Sequence, residues 1–183
     1  MIEHDDRECV SQCLAGNTGA FEVLVERYYK QVFNIAYRMT NNNNDSEDIT
    51  QTVFIKVYEK LDMYNPKYKF FSWIYRIAVN ETLNHLTQNN RIEGLNRDYI
   101  SQDKTPEESY EEMELSDKLQ DALMCLGLEY KSLIVLKHFQ YLSYREIAFI
   151  LDIPEKKVKS RLFTARHLLR DVLSERGIEL NDR

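Results

Sequence analysis

Lys156, Lys157, Lys159 and Arg161 crowd into the first turns of one amphipathic segment near the C-terminus. A helix beginning just before them holds its cations at the end where the macrodipole disfavours them. An approaching anion compensates that mismatch, and the phosphate backbone of DNA is such an anion. The residues upstream shape the approach. Ser143 and Glu146 have capping-box spacing, Ile147, Ala148 and Leu151 give the helix they open an apolar face, and Pro154 stands where the next helix begins. Two short helices, a tight turn and a cationic second start follow the logic of a helix-turn-helix. That motif lays the N-terminal end of its second helix in the major groove.

A second group of residues mixes aromatics with cations. The stretch from Tyr64 to Trp73 reads Tyr-Asn-Pro-Lys-Tyr-Lys-Phe-Phe-Ser-Trp. Lysines of this kind follow phosphates, and aromatic faces stack on unpaired bases for about 1–3 kcal/mol each. Lys67, Tyr68, Lys69 and Phe70 precede a helix predicted to start near Ser72, which makes them candidates for nucleic-acid contact. Phe71 and Trp73 have a core reading as well, favoured for Trp73 by its place on the stripe Trp73, Ile74, Ile77 and Ala78. Arg76, Asn80, Asn84 and His85 lie off that stripe. Asn80 and Asn84 suit base edges and Arg76 a phosphate or a base, though each serves equally as plain surface, the first reading for His85.

These groups need elements to position them, and the elements read as helices throughout. The chain has 183 residues, 43% of them apolar, with only five glycines and three prolines, so hairpin turn signals are scarce. Phe21, Leu24, Val25, Tyr28, Val32, Ala36 and Met39 recur at helical spacing behind Thr18, a candidate N-cap. Asn41 to Asn44 end that helix. Another follows Asp45, with an apolar face of Ile49, Val53, Phe54, Val57, Tyr58 and Leu61. Toward the C-terminus, Leu119, Ala122, Leu123 and Leu126 share one helix and Leu133, Ile134, Leu136 and Phe139 the next, with Gly127 between them. The last helix buries Val158, Leu162, Ala165, Leu169 and Val172, leaving Lys156, Lys157, Ser160, Phe163, Thr164 and His167 pointing elsewhere.

The net charge of −6 is unusual for a DNA binder, but its distribution resolves the conflict. From Ile92 to Asp117 nine acids face only Arg97 and Lys104, a balance of −7, so the rest of the chain sums to +1. The acidic stretch, with Gly94 and Pro106, reads as a linker. The expected architecture is all-α: an N-terminal helical domain over 1–91, an acidic linker over 92–114, and a helix-turn-helix domain over 115–183.

Cys9, Cys13 and Cys125 lack His or Cys partners at ligand spacing, so no metal site is expected. Reduced thiols are the simpler reading, with a redox pair of Cys9 and Cys13 as the alternative. No apolar run reaches membrane-spanning length and the N-terminus is acidic, which together lead to a cytoplasmic expectation.

Three motifs in order resemble a known family. The stretch from Asp45 to Tyr58 (Asp-Ser-Glu-Asp-Ile-Thr-Gln-Thr-Val-Phe-Ile-Lys-Val-Tyr) resembles the core-polymerase-binding helix of bacterial sigma factors. The stretch from Phe70 to Asn80 is similar to the segment that contacts the −10 promoter element, and the helix-turn-helix to the one that reads the −35 element. Order, linker and length resemble the extracytoplasmic function subgroup of the sigma-70 family over Ala20 to Leu173. The sequence departs from the family pattern at Gly127-Leu128, at Asp152 in place of a turn glycine, at Lys156-Lys157, at Thr164 and at Thr52.

The resemblance implies a sigma factor that binds core RNA polymerase, directs it to promoter DNA and helps melt it. It implies no catalytic centre, no cofactor, and an anti-sigma factor as a further partner. Asp48, Gln51, Thr52 and Ile55 are the implied polymerase contacts; Lys67, Tyr68, Lys69, Phe70, Arg76, Asn80 and Asn84 the −10 contacts; Arg145, Lys156, Lys157, Ser160, Arg161 and Thr164 the −35 contacts. The acidic linker would run through cationic channels of the polymerase as a strand mimic. A polymerase-independent helix-turn-helix regulator would explain the C-terminal block alone, and a helical adaptor would leave the cation cluster without a purpose.

Overall fold

The computed structural model describes residues 5–92 and 110–177, and among these it shows eight α-helices and no strand. The N-terminal group comprises α1 (Asp6–Leu14), α2 (Gly19–Thr40), α3 (Asn43–Glu59) and α4 (Phe70–Ile92). The C-terminal group comprises α5 (Tyr110–Met124), α6 (Leu128–Ile134), α7 (Tyr144–Leu151) and α8 (Glu155–Glu175). Residues 93–109, most of the expected linker, lie outside the described residues, and α5 begins ahead of the expected boundary at 115.

Local chemistry accounts for the boundaries. Adjacent asparagines divide the work between α2 and α3. Asn41 takes a left-handed backbone (φ 56°) and closes α2, while the Asn42 side chain accepts from Asp45 N at 3.1 Å and opens α3. Thr18, by contrast, makes no side-chain cap at α2. Ser143 and Glu146 form the expected capping box. The Ser143 hydroxyl accepts from Glu146 N at 3.3 Å, and Glu146 Oε2 accepts from Ser143 N at 2.9 Å. α4 starts at Phe70, before the expected Ser72. α6 runs into a π-helical turn over Val135–Phe139, where Gln140 N bonds Val135 O at 3.1 Å, an irregularity that hydrophobic spacing does not reveal.

The core of the N-terminal group is the shared interior of α2, α3 and α4, with Leu24, Val32, Ile35, Val53, Val57 and Ile74 among its buried side chains. α1 is fastened to α2 by polar contacts: Tyr28 OH donates to Asp6 at 2.6 Å and Arg27 pairs with the same carboxylate. Burial, then the Asp6 hydrogen bond, pushes the Tyr28 hydroxyl far above its ordinary range. Cys9 is buried and Cys13 half-buried on α1, and burial pushes both thiols up, away from the reactive thiolate.

The two groups pack directly on each other, α2 against α5 and α4 against α7. Arg38 donates to Gln120 Oε1 at 3.0 Å, and its guanidinium lies 4.6 Å from the Phe139 ring centroid. Lys131, only 3% exposed, donates to Met39 O at 3.4 Å, at the C-terminal end of α2 where the helix dipole favours a cation.

Candidate nucleic-acid and protein interfaces

The cationic start of α8 is as the sequence predicts. Lys156, Lys157, Ser160 and Thr164 are all exposed on its outer side, and Arg145 is exposed on α7. Val158, Leu162 and Ala165 anchor the opposite side in the core, so packing fixes which side chains remain outside. Lys159 is partly engaged, pairing with Glu155 at 3.0 Å. Arg161 departs from expectation. Its guanidinium pairs with Glu129 of α6 at 3.0 Å and is well covered, because position 161 lies at the edge of the packed face.

Lys67, Tyr68 and Lys69 are exposed in the loop before α4, and Asn80 and Asn84 are exposed on α4. Phe70 requires a correction: at 1% exposure it is a core residue, packed against Tyr28, Tyr64 and Trp73 at centroid distances of 5.5, 5.3 and 5.7 Å. As the first residue of α4 it already points inward. Tyr68, 48% exposed, is the aromatic of this loop that faces outward. Arg76, half-buried, turns toward α7: it pairs with Asp152 at 3.1 Å and donates to Phe149 O at 3.3 Å.

On α3, Asp48, Gln51 and Ile55 form an outward strip at helical spacing, with Ile55 58% exposed and Thr52 half-buried beside it. Tyr58 extends the strip. Its spacing predicts a place on the apolar face, but it is 53% exposed and meets the Phe21 ring edge-on at 5.0 Å. Asn84 lies with this group and not with Tyr68. It shares a polar cleft of about 240 Å³ between α3 and α4 with Asp48 and Thr52, bridged by Lys56 and Glu81 at 2.6 Å.

One surface escaped the sequence-based candidates. A groove of about 660 Å³ between α8 and the π-helical turn is lined by Ile134, Phe139, Tyr141, Phe163, Leu169 and Leu173, with Arg166 and Arg170 at its rim. Tyr141 is 86% exposed in a left-handed backbone (φ 54°), which a bulky side chain rarely adopts. Phe163, off the buried stripe of α8, was the available signal. Burial, followed by the nearby Arg166 and Lys137, pushes the His138 imidazole below its ordinary range.

Comparison with known proteins bears on these surfaces as a set. Residues 24–92 match the sigma-70 region 2 family model, and residues 116–169 the sigma-70 region 4 model. The chain is 32% identical over 178 residues to the ECF RNA polymerase sigma factor SigW of Bacillus subtilis, covering 91% of this chain and 95% of that one. It is 33% identical to the ECF RNA polymerase sigma-E factor of Haemophilus influenzae, covering 90% and 93%. The solved structure of CnrH in complex with the cytosolic domain of CnrY aligns over 93% of this chain and 97% of that one, with a TM-score of 0.72 and 25% identity. The sigma factor RpoE of Bartonella quintana, solved with the anti-sigma factor NepR, shares the fold with a TM-score of 0.73 at 20% identity, covering 84% and 96%. Both helical groups thus have counterparts in the family, including the N-terminal group for which a stand-alone helix-turn-helix regulator has no use. The chain belongs to the ECF RNA polymerase sigma factors of the sigma-70 family.

Proposed function

We propose that this sigma factor docks on core RNA polymerase through the outward face of α3 and reads promoter DNA with two separate surfaces. The observation that carries the docking assignment is the strip Asp48, Gln51, Ile55 and Tyr58, which sets exposed apolar area beside oriented polar groups on one rigid helix. Apolar area supplies affinity in such a contact, and the polar groups fix register. Thr52 and Asn84 sit in the adjoining cleft, so Asn84 moves from the −10 set to the polymerase set.

For the −10 element the contacts are Lys67, Tyr68, Lys69, Arg76 and Asn80, with Tyr68 stacking on an unpaired base. For the −35 element they are Arg145, Lys156, Lys157, Ser160 and Thr164, the lysines neutralising phosphates. Arg161 serves the −35 surface indirectly, holding α8 against α6 through Glu129. Acting on polymerase places the protein in the cytoplasm, and no described helix is long and apolar enough to cross a membrane. An anti-sigma factor is the expected partner, as NepR is in the complex with RpoE of Bartonella quintana, and the apolar groove beside α8 offers it a surface to cover.

Reconstituted transcription tests the assignment. Core polymerase with this protein alone should start transcripts at a defined promoter set. Asp48→Arg should abolish both those starts and co-purification with core, while leaving the thermal melting of the protein unchanged. Undiminished co-purification of the variant would remove α3 from the docking surface.

A further inference from the structure

One aromatic ring of α7 gathers cations from two other elements. Tyr144, the first residue of α7, is half-buried. Its ring centroid lies 5.0 Å from Lys137 Nζ and 5.7 Å from Lys159 Nζ. Lys137 comes from the π-helical turn and Lys159 from the second turn of α8. An aromatic face attracts a cation through its quadrupole, so the ring offsets part of the repulsion between the two ammonium groups.

Each lysine has one further tie. Lys137 Nζ donates to Leu142 O at 3.0 Å, and Lys159 pairs with Glu155 at 3.0 Å. An ammonium carries three donors, so these ties leave capacity on both for an anion. The π-helical turn is what brings Lys137 to this place. Gln140 N bonds Val135 O and Leu142 N bonds Leu136 O, both at 3.1 Å, so the chain closes more widely than an α-helix before α7 begins. Turns of this kind recur at functional sites. Tying the loop through Leu142 O accounts for a lysine at position 137, but not for its place beside a second lysine on the same ring.

The cluster flanks the −35 surface. Lys159 lies one helical turn from Lys156 and from Phe163, both exposed, and Tyr144 adjoins the exposed Arg145. Lys137, Arg145, Lys156, Lys157 and Lys159 thus border one edge of the helix-turn-helix. Of the acids on its two helix starts, Glu155 pairs with Lys159, and Glu146 is held by Lys69 and Ser143. Such an excess of cations suits a polyanion running along the edge, and each strand of duplex DNA presents one charge per about 3.4 Å of axis.

We propose that Tyr144 is a positioning residue for promoter binding, its ring holding Lys137 and Lys159 side by side as phosphate contacts on the flank of the −35 surface. This role rests on the −35 assignment given above and extends it from α8 to the π-helical turn. The two lysines set position and not sequence, because phosphates carry no sequence information.

Salt-dependent binding of the full-length chain to a short fluorescein-labelled duplex of random sequence tests this. K137M keeps the aliphatic stem without the charge and should lower the slope of log affinity against log salt by about 1, the share of one phosphate. Y144L keeps an apolar side chain without the ring. It should lower the slope by about 1 to 2 and weaken binding at low salt about fivefold. Y144F keeps the ring face and should match wild type in both readings. Thermal melting of each variant is recorded alongside. An unchanged slope in K137M overturns the phosphate role of Lys137. An unchanged slope in Y144L, whatever its melting temperature, overturns the positioning role of Tyr144, as does Y144F binding like Y144L. K157E keeps the two ideas separate. If K157E leaves the slope unchanged while K137M and Y144L lower it, the assignment of the α8 start fails and the cluster stands; if K157E alone lowers it, the cluster fails and the assignment stands.

Discussion

Tyr68 and Phe70 are two residues apart in one aromatic-basic loop, yet one is exposed and the other is core. Composition treats them alike; the direction of the first turn of α4 separates them. Phe70→Ala should therefore act through stability, costing about 3–5 kcal/mol as a large side chain removed from a packed interior. Urea unfolding measures that loss. Tyr68→Ala should leave the unfolding midpoint within experimental error and instead reduce open-complex formation, read by permanganate footprinting. At the other surface, Lys157 is exposed near the start of α8. Lys157→Glu should weaken binding to every promoter alike and lower the slope of log affinity against log salt by about 1. A loss confined to one base position would instead give Lys157 a sequence-reading role. Arg161 shows the limit of residue type as a guide. Its charge and neighbourhood place it in the −35 set, and Glu129, distant in sequence, pairs with it at 3.0 Å.

At the scale of elements, local signals served well where a helix is closed by its own residues. The capping box at Ser143 and Glu146, the asparagine junction between α2 and α3, and the apolar stripe of α8 all depend on neighbours within a turn or two. α1 and the π-helical turn gave weaker signals, since α1 is polar and short and holds its place by contacts with Arg27 and Tyr28. Glu146 offers a test at this scale. Desolvation pushes its carboxyl up, but hydrogen bonds from Lys69 and from the Ser143 backbone and hydroxyl outweigh it, and the net shift is downward. A carboxyl whose folded pKa is depressed contributes stability that is present above its unfolded value and is lost as pH falls through the folded one. The α7 start and its Lys69 contact should thus be intact at neutral pH and weaken only in acid, below the usual glutamate range. Carboxyl NMR titration of Glu146 checks this, and Lys69→Ala should move its midpoint upward. Ser143→Ala should cost about 0.5–2 kcal/mol by removing the cap, measured by thermal unfolding.

The whole molecule has two seams between its helical groups. One joins α2 to α5 and the π-helical turn through Arg38, Gln120, Phe139 and Lys131; the other joins α4 and the loop before it to α7 through Tyr68, Lys69 and Arg76. Reading two promoter elements at once, as proposed above, requires both to part, although Lys131 is nearly fully buried at the first. Spin labels at the exposed positions Glu59 and Glu175 should report one narrow distance distribution in the free chain and a longer one in the complex with core polymerase. An unchanged distribution would mean that the closed arrangement persists in the holoenzyme.

The sequence by itself determined the helices, their buried stripes, the cationic helix start and the order of three family motifs. Each depends on the chemistry of residues a few positions apart, and periodicity carries it. Only the tertiary structure decided what each candidate side chain packs against or pairs with. Phe70 went to the core, Arg161 to Glu129, Asn84 to the cleft beside Asp48, and Arg76 to Asp152. Those partners are distant in the chain or lie just across a helix turn whose direction packing sets, so spacing alone does not encode them. The acid in place of a turn glycine at position 152 shows the difference most directly. In the sequence it is a departure from a pattern, and in the fold it is the carboxylate that pairs with Arg76 of α4 at 3.1 Å.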